Sequence, residues 1–263
     1  MAEDIHKIVL IGAGNLATQL GLALFDKGFD IVQVYSRTLE AARNLADQTK
    51  ALFTNNLAAI TPVADLYIYA IKDDALQEVI NNVSVKSGLH VHTSGSLPID
   101  VFRGKRELYG VFYPLQTFKK EKRVVFDDIP IFLEASDGEI TNNMKVIANK
   151  ISKSVFEAKS EDRKFIHLSA VFACNFTNHC YAIAEKILQP TGLPFSAMQP
   201  LIREGIEKLQ TLTPEEAQTG PAVRNDTNVI NKHLEMLKNQ PDLAQLYQQM
   251  TEHIQTYHKQ KSE

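Results

Sequence analysis

Ile5 to Ile11 reads as a buried strand, and Gly12 to Gly14 as a tight turn. Leu16 to Lys27 follows with helical apolar spacing at Leu16, Leu20, Ala23 and Leu24. Gly28 serves as its stop, and Ile31 to Tyr35 is a second strand. A strand, a glycine turn, a helix and a second strand in such close succession describe two parallel strands joined by a helical crossover.

The pattern then repeats. Leu39–Thr49 is an amphipathic helix, Asp65–Ala70 a strand, and Ala75–Val83 a helix. His90–His92, Gly110–Tyr113 and Pro130–Glu134 are short strands. Asp137–Ser152 is helical, and Ser154–Ala158 is the last strand. From Glu161 onward only helical patterns occur, broken at Pro190, Gly192-Leu193-Pro194, Pro214, Gly220-Pro221 and Pro241. The expected architecture is α/β: a doubly wound parallel sheet over residues 1–158, followed by an all-α domain over 159–263.

Gly12-Ala13-Gly14-Asn15-Leu16-Ala17 fits G-x-G-x-x-A. Gly12 permits the sharp turn, Gly14 lets the backbone approach a pyrophosphate, and Ala17 allows close helix–strand packing. The helix that starts at Asn15 and Leu16 offers free N–H groups to phosphate. The motif sits between a strand and a helix, the context in which it marks a dinucleotide site of the Rossmann type. Where a carboxylate would accept the ribose hydroxyls of NAD, the second strand ends in Ser36-Arg37. A neutral donor and a planar cation suit a 2′-phosphate, so NADP(H) is the expected cofactor, with Thr38 and Arg43 as supporting contacts.

Composition bounds the partners. The 263 residues suffice for two modest domains, and 44% hydrophobic with 22% charged residues is ordinary for a soluble globular chain. A net charge of −3 offers nothing to nucleic acid or an acidic membrane. Cys174 and Cys180 are too few for a disulfide framework or a zinc site. They read as free, buried thiols of a cytoplasmic protein, with no leader and no membrane-spanning run. A small-molecule substrate is the expected partner.

The segments GAGNLA, YSRT, YIYAIKDDAL, HVHTSGS, GVFYPLQTF, HLSAVFACNFTNH and TGPAVRND occur in order. With them the chain resembles, over essentially its whole length, a family of NADP oxidoreductases. Its members pair a Rossmann-like domain with a helical C-terminal domain of unknown function. More distantly it is similar to pyrroline-5-carboxylate reductase, the deazaflavin-dependent NADP reductases and the 6-phosphogluconate dehydrogenase superfamily. The resemblance implies fold, cofactor and a homodimer formed through the helical domain. It implies no particular substrate.

Chemistry belongs outside the carboxyl ends of the strands. Ala70, Ile71, Lys72 and Asp73 lie there, expected along the cofactor, as do Thr93, Ser94, Gly95 and Ser96, expected near the nicotinamide; Pro114 to Thr117 is a third such stretch. The serines offer hydroxyls and Gly95 close backbone approach, although Ser and Gly also suit an ordinary strand-end turn. His90 and His92 share a face, but two ligands without a third read as satisfied core histidines, and no metal is expected.

The helix HLSAVFACNFTNHCYAIAEKIL is apolar on nearly every side, which predicts burial. Along it His167, Val171, Asn175 and Asn178 form one stripe, and a polar stripe on a buried helix implies a facing cleft between the domains. Enzymes of the wider superfamily carry a Lys four residues before an Asn on the equivalent helix. If Asn175 matches that Asn, Val171 stands in place of the Lys, and His167 is the candidate for proton transfer. Asn175 and Asn178 would orient the substrate, and His179 lies off the stripe. Arg224 and Asp226 could bind a carboxylate or form a structural pair beside a helix cap.

The expected function is hydride transfer between NADP(H) and a small carbonyl, imine or hydroxy compound. A non-catalytic NADP(H) sensor is the alternative from a different class, prompted by the missing Lys. A deazaflavin–NADP reductase rests on the N-terminal likeness alone.

Overall fold

The computed structural model describes residues 5–259. Among them, eight strands form a single sheet: β1 (Lys7–Ile11), β2 (Asp30–Tyr35), β3 (Leu52–Thr54), β4 (Leu66–Tyr69), β5 (Leu89–His92), β6 (Leu108–Pro114), β7 (Ile131–Ala135) and β8 (Val155–Glu157). Their spatial order is β3-β2-β1-β4-β5-β6-β7-β8. The first six follow the Rossmann order, which reverses direction between β1 and β4.

All pairings are parallel except β6 with β7, where Gly110 faces Ala135 and Pro114 faces Ile131. The expected doubly wound parallel sheet is present, and it carries this one antiparallel ladder. Parallel neighbours need a helical crossover, and the stretch between Pro114 and Ile131 contains no helix, so the chain turns back antiparallel. The short edge strand β3 has no counterpart in the sequence reading; its three residues are too few to show a period.

The first helices cover both faces. α1 (Asn15–Asp26), α2 (Leu39–Thr49) and α4 (Gly138–Ile151) bury one side through Leu20, Leu24, Leu45, Met144 and Ile147. α3 (Asp73–Asn82) and a 3-10 turn, Ile99–Phe102, cover the other through Leu76, Ile80 and Phe102. Burial from both sides explains why β4 and β5 are inaccessible at every position.

His90 and His92 are satisfied core residues. His90 Nε2 donates to the Ser87 carbonyl, while its Nδ1 accepts from the Tyr69 hydroxyl and from Arg106 Nε. His92 Nε2 donates to the Pro98 carbonyl, and its Nδ1 accepts from Ser94 N–H. Among the described residues, no group of three or more His, Cys, Asp or Glu side chains could hold a metal ion.

After β8 come α5 (Ser160–Ala170), a π-helical segment (Val171–Phe176) and α6 (Thr177–Leu188). The chain divides into two compact units that part at His179 and Cys180, inside α6. The second unit is helical, with α7 (Gln199–Lys208), α8 (Thr227–Met236) and α9 (Pro241–Lys259). Asp226 caps α8 by accepting from Val229 N–H, and His233 bonds to the Tyr247 hydroxyl on α9. Among the described residues, no ion pair joins Arg224 to Asp226.

Two expectations about the α5–α6 helix are overturned. It is not buried: Phe165, Leu168, Phe172 and Phe176 are 71%, 52%, 62% and 51% exposed. Cys174 and Cys180 are exposed with it. An apolar surface on all sides states what a helix can bury, not that it is buried. The π segment also breaks the constant winding on which the His167–Asn178 stripe depends, because each π turn takes up an extra residue. Among the described residues, no helix is long and apolar enough to cross a membrane.

Burial and the Arg106 cation push the His90 imidazole down to about 3, and burial with the Arg163 cation pushes His92 down to about 4. Both rings are therefore neutral in the fold and charge more readily when the chain unfolds. Below pH ~6.5 the unfolded state binds more protons, so their contribution is complete above that pH and is lost as pH falls towards 4. Urea unfolding should show stability falling across this window, with a shallower slope in His92→Asn. An unchanged slope would remove His92 from the account.

Candidate active site at the strand ends

The site begins with a glycine. Gly12 has φ +129°, and a Cβ there would be driven into the Ala70 carbonyl, 2.8 Å from its carbon. Only a bare backbone lets the end of β1 lie against the end of β4. A cavity of about 440 Å³ opens at this point of reversal. Its walls bring together most of the residues expected from sequence: Gly12, Ala13, Gly14, Asn15 and Leu16 from the turn, Ser36 and Arg37 after β2, Ala70, Ile71 and Lys72 after β4, and Ser94 after β5.

Three residues expected at the cofactor lie off that wall. Thr38, the N-cap position of α2, lines a separate cavity of about 340 Å³ with Lys120 and Glu121. Gly95 is buried beside Tyr113 and His167. Arg43 points elsewhere, to Asp47 one turn along α2.

No side chain caps α1, so the N–H groups of its first turn lack an intrahelical or side-chain partner. Gly14 is exposed, and nothing lies within 4 Å of where its Cβ would be. These features fit a phosphate-bearing dinucleotide.

The sequence places Asp73 in the strand-end stretch but does not foresee its contacts. At the start of α3 it accepts from Ser94 Oγ at 2.9 Å and from Ser96 Oγ. Ser94 Oγ in turn accepts from the backbone N–H groups of Ser96 and Leu97. The serine turn is thus a closed network whose carboxylate reaches the cavity wall.

Arg163 was missed. It is 1% exposed, and donates from Nε to the Ser94 carbonyl, from Nη2 to the Leu97 carbonyl at 2.6 Å and from Nη1 to Glu134 at 2.5 Å. Ser160 bonds the same carboxylate oxygen. In the sequence Arg163 sits among Glu161, Asp162 and Lys164, where a solvated helix face is the natural reading.

Tyr113, at the end of β6, is the second omission. Its hydroxyl lies 3.0 Å from His167 Nδ1, with the rings edge-on. A Cβ on Gly95 would come within 2.8 Å of both atoms, so the pair rests directly on that backbone. Burial pushes the Tyr113 phenol up to about 12; the Arg163 cation opposes the shift and the Asp73 carboxylate adds to it. Asn175 and Asn178 are exposed, and no hydrogen bond to either side chain is described.

Fold and cavity define a Rossmann-type NAD(P)-binding oxidoreductase. The family model described as NADP oxidoreductase, coenzyme F420-dependent, matches residues 7–93. The model of a domain of unknown function, DUF2520, matches residues 129–254. A Bacteroides fragilis protein described as a "putative NADP oxidoreductase" is 49% identical, with 97% of this chain and 100% of that chain covered and a TM-score of 0.91. The chain belongs to that NADP oxidoreductase family. An imine reductase from Myxococcus stipitatus, solved with NADP+, is 13% identical over 97% of this chain and 93% of its own, with a TM-score of 0.68. A pyrroline-5-carboxylate reductase from Coxiella burnetii is 17% identical over 98% of both chains, with a TM-score of 0.58. At those identities the likeness concerns fold. No significant match was found among curated proteins.

Replacing Arg163 by Met should destabilise the chain by about 3–5 kcal/mol in urea unfolding, because Glu134 is left without its cation and two carbonyls without donors. A loss below about 1 kcal/mol, the range of an exposed pair, would show that the guanidinium does not hold the turn.

Proposed function

We propose that this chain is an NADP(H)-dependent reductase acting on a small C=N or C=O compound, or on the corresponding amine or alcohol in reverse, at the ends of β4, β5 and β6. One adjacency carries the reading: Ser94 is on the cavity wall, and the next residue, Gly95, supports the Tyr113–His167 pair. A proton-handling pair one residue from a dinucleotide cavity is the arrangement hydride transfer requires.

The glycine turn of residues 12–16 and the α1 N-terminus hold the diphosphate. Ser36 and Arg37 on the cavity wall would receive the 2′-phosphate, and no carboxylate stands at that strand end to repel it. Ala70, Ile71, Lys72 and Ser94 on the cavity wall would flank the cofactor, with Gly95 next in sequence to Ser94. When bound, NADPH supplies hydride. His167 exchanges the accompanying proton at the substrate heteroatom, taking the place of the absent Lys. The exposed Asn175 and Asn178 amides are free to bind a polar substrate group. The imine and pyrroline-5-carboxylate reductase folds support cyclic imines as the first compounds to try, followed by keto acids.

A second copy of the chain covers the exposed stripe of Phe165, Leu168, Phe172 and Phe176. Residues 159–263 form the substrate and dimerisation domain.

NADPH should bind at least about tenfold tighter than NADH, the worth of one charge-assisted hydrogen bond, and Arg37→Asp should abolish the preference. Equal affinities in the unaltered protein would refute it. NADPH oxidation should appear with a member of the imine and keto-acid panel and vanish in His167→Ala; silence across the panel with NADPH bound would overturn the reaction. Light scattering should give twice the 29.5 kDa chain mass, falling to one chain in Phe172→Glu. A monomeric unaltered protein would exclude the dimer.

A further inference from the structure

We propose that Tyr113 holds His167 in the tautomer with its proton on Nε2, so that the ring meets the substrate heteroatom as a hydrogen-bond donor and relays the tyrosine's proton to it. This rests on the reading of the site given above and names how its proton is delivered.

Tyr113 is 7% exposed, and the only described hydrogen bond of its hydroxyl, a partly buried one, is to His167 Nδ1. A neutral imidazole has one N–H. If that N–H were on Nδ1, it would donate to the phenol oxygen, and the phenol proton would be left without a described protein acceptor. Giving up that partly buried hydrogen bond is costly enough to reduce that tautomer by about tenfold. The phenol therefore donates, Nδ1 accepts, and the ring proton sits on Nε2. Among the described hydrogen bonds none uses Nε2, and His167 is itself exposed. That nitrogen is free for a ligand.

Three contacts hold the pair in register. Gly95 leaves no room for either ring to shift inward, since a methyl group there would meet Tyr113 Cζ at 2.7 Å and His167 Nδ1 at 2.8 Å. Arg163, one turn before His167 on α5, ties that helix to the carbonyls of Ser94 and Leu97. Tyr113 is fixed by its place in β6.

The proton balance closes. Bound NADPH would supply hydride to the C=O or C=N carbon, and the π pair would move onto the heteroatom. The heteroatom takes the Nε2 proton, and Nδ1 takes the phenol proton. The bond broken is the Tyr113 O–H; the bond formed is an O–H or N–H of the product. The phenolate then recovers its proton from solvent by way of the exposed imidazole. A phenol near 12 is protonated at neutral pH, yet it remains more acidic than water, so transfer to an alkoxide or amide anion runs downhill. Tyr113 acts through His167 and is a positioning residue in this scheme.

The test is nitrogen NMR of protein carrying 15N-labelled imidazoles, at about pH 8, where ordinary imidazoles are neutral. The His167 signals are identified by their loss in His167→Gln. The unaltered protein should show a pyridine-type Nδ1 and a pyrrole-type Nε2, with and without NADP+. Tyr113→Phe should move both towards the average of mixed tautomers. Gly95→Ala, which displaces both rings, should do the same. A pyrrole-type Nδ1 in the unaltered protein, or signals unmoved in both variants, would overturn the proposal. With a substrate from the panel, Tyr113→Phe should lower kcat by about tenfold or more while the KM for NADPH stays within about twofold. If His167→Ala leaves turnover intact, the reading of the site fails. If His167→Ala is inactive but Tyr113→Phe leaves the tautomer unchanged, only the present inference fails.

Discussion

Gly12 against the Ala70 carbonyl is the contact on which the site depends. A side chain at position 12 would push β1 and β4 apart at their carboxyl ends, where the strand order reverses. With glycine, the two ends lie against each other, and Gly12 and Ala70 both line the cavity. Everything of chemical interest in the first unit is placed relative to that cavity. Ser36 and Arg37 leave from β2, Asp73 from the end of β4, Ser94 from β5 and Tyr113 from β6.

A second arrangement gives these loose ends a fixed shape. Strand-end turns carry backbone groups that the sheet no longer pairs. Here Arg163 takes two of the carbonyls, Asp73 takes two serine hydroxyls, and His92 accepts the Ser94 N–H. The cost of burying the guanidinium is offset by the Glu134 carboxylate and by three further hydrogen bonds, the condition under which a buried charge is tolerated. The same residue sits one turn from His167, so the group that shapes the turn also carries the imidazole to it.

Several elements were legible because local rules and tertiary packing agree. α2 spans Leu39–Thr49 in both sequence reading and structure, and β5 differs by one residue. The cavity wall was legible too, since a glycine fingerprint fixes its own surroundings through backbone geometry. The contacts of Asp73, Tyr113 and Arg163 were not, and each for the same reason. A carboxylate at a helix start, a tyrosine in a strand and an arginine among charges each have an ordinary local explanation. Only the one contact partner, far away in sequence, makes them special. The α5–α6 helix departs the other way: its composition favours burial, yet Phe165, Leu168, Phe172 and Phe176 are exposed.

The sequence by itself determined the alternation of strand and helix, the glycine turn and the absence of a carboxylate after β2. These are properties of neighbouring residues, read directly from period, backbone freedom and charge. Only the tertiary structure decided that β7 runs antiparallel, that Arg163 closes on Ser94 and Leu97, and that Tyr113 meets His167 over Gly95. Those contacts join residues more than fifty positions apart, apart from the β6–β7 ladder. No local period encodes which distant side chains the folded backbone brings within hydrogen-bonding distance.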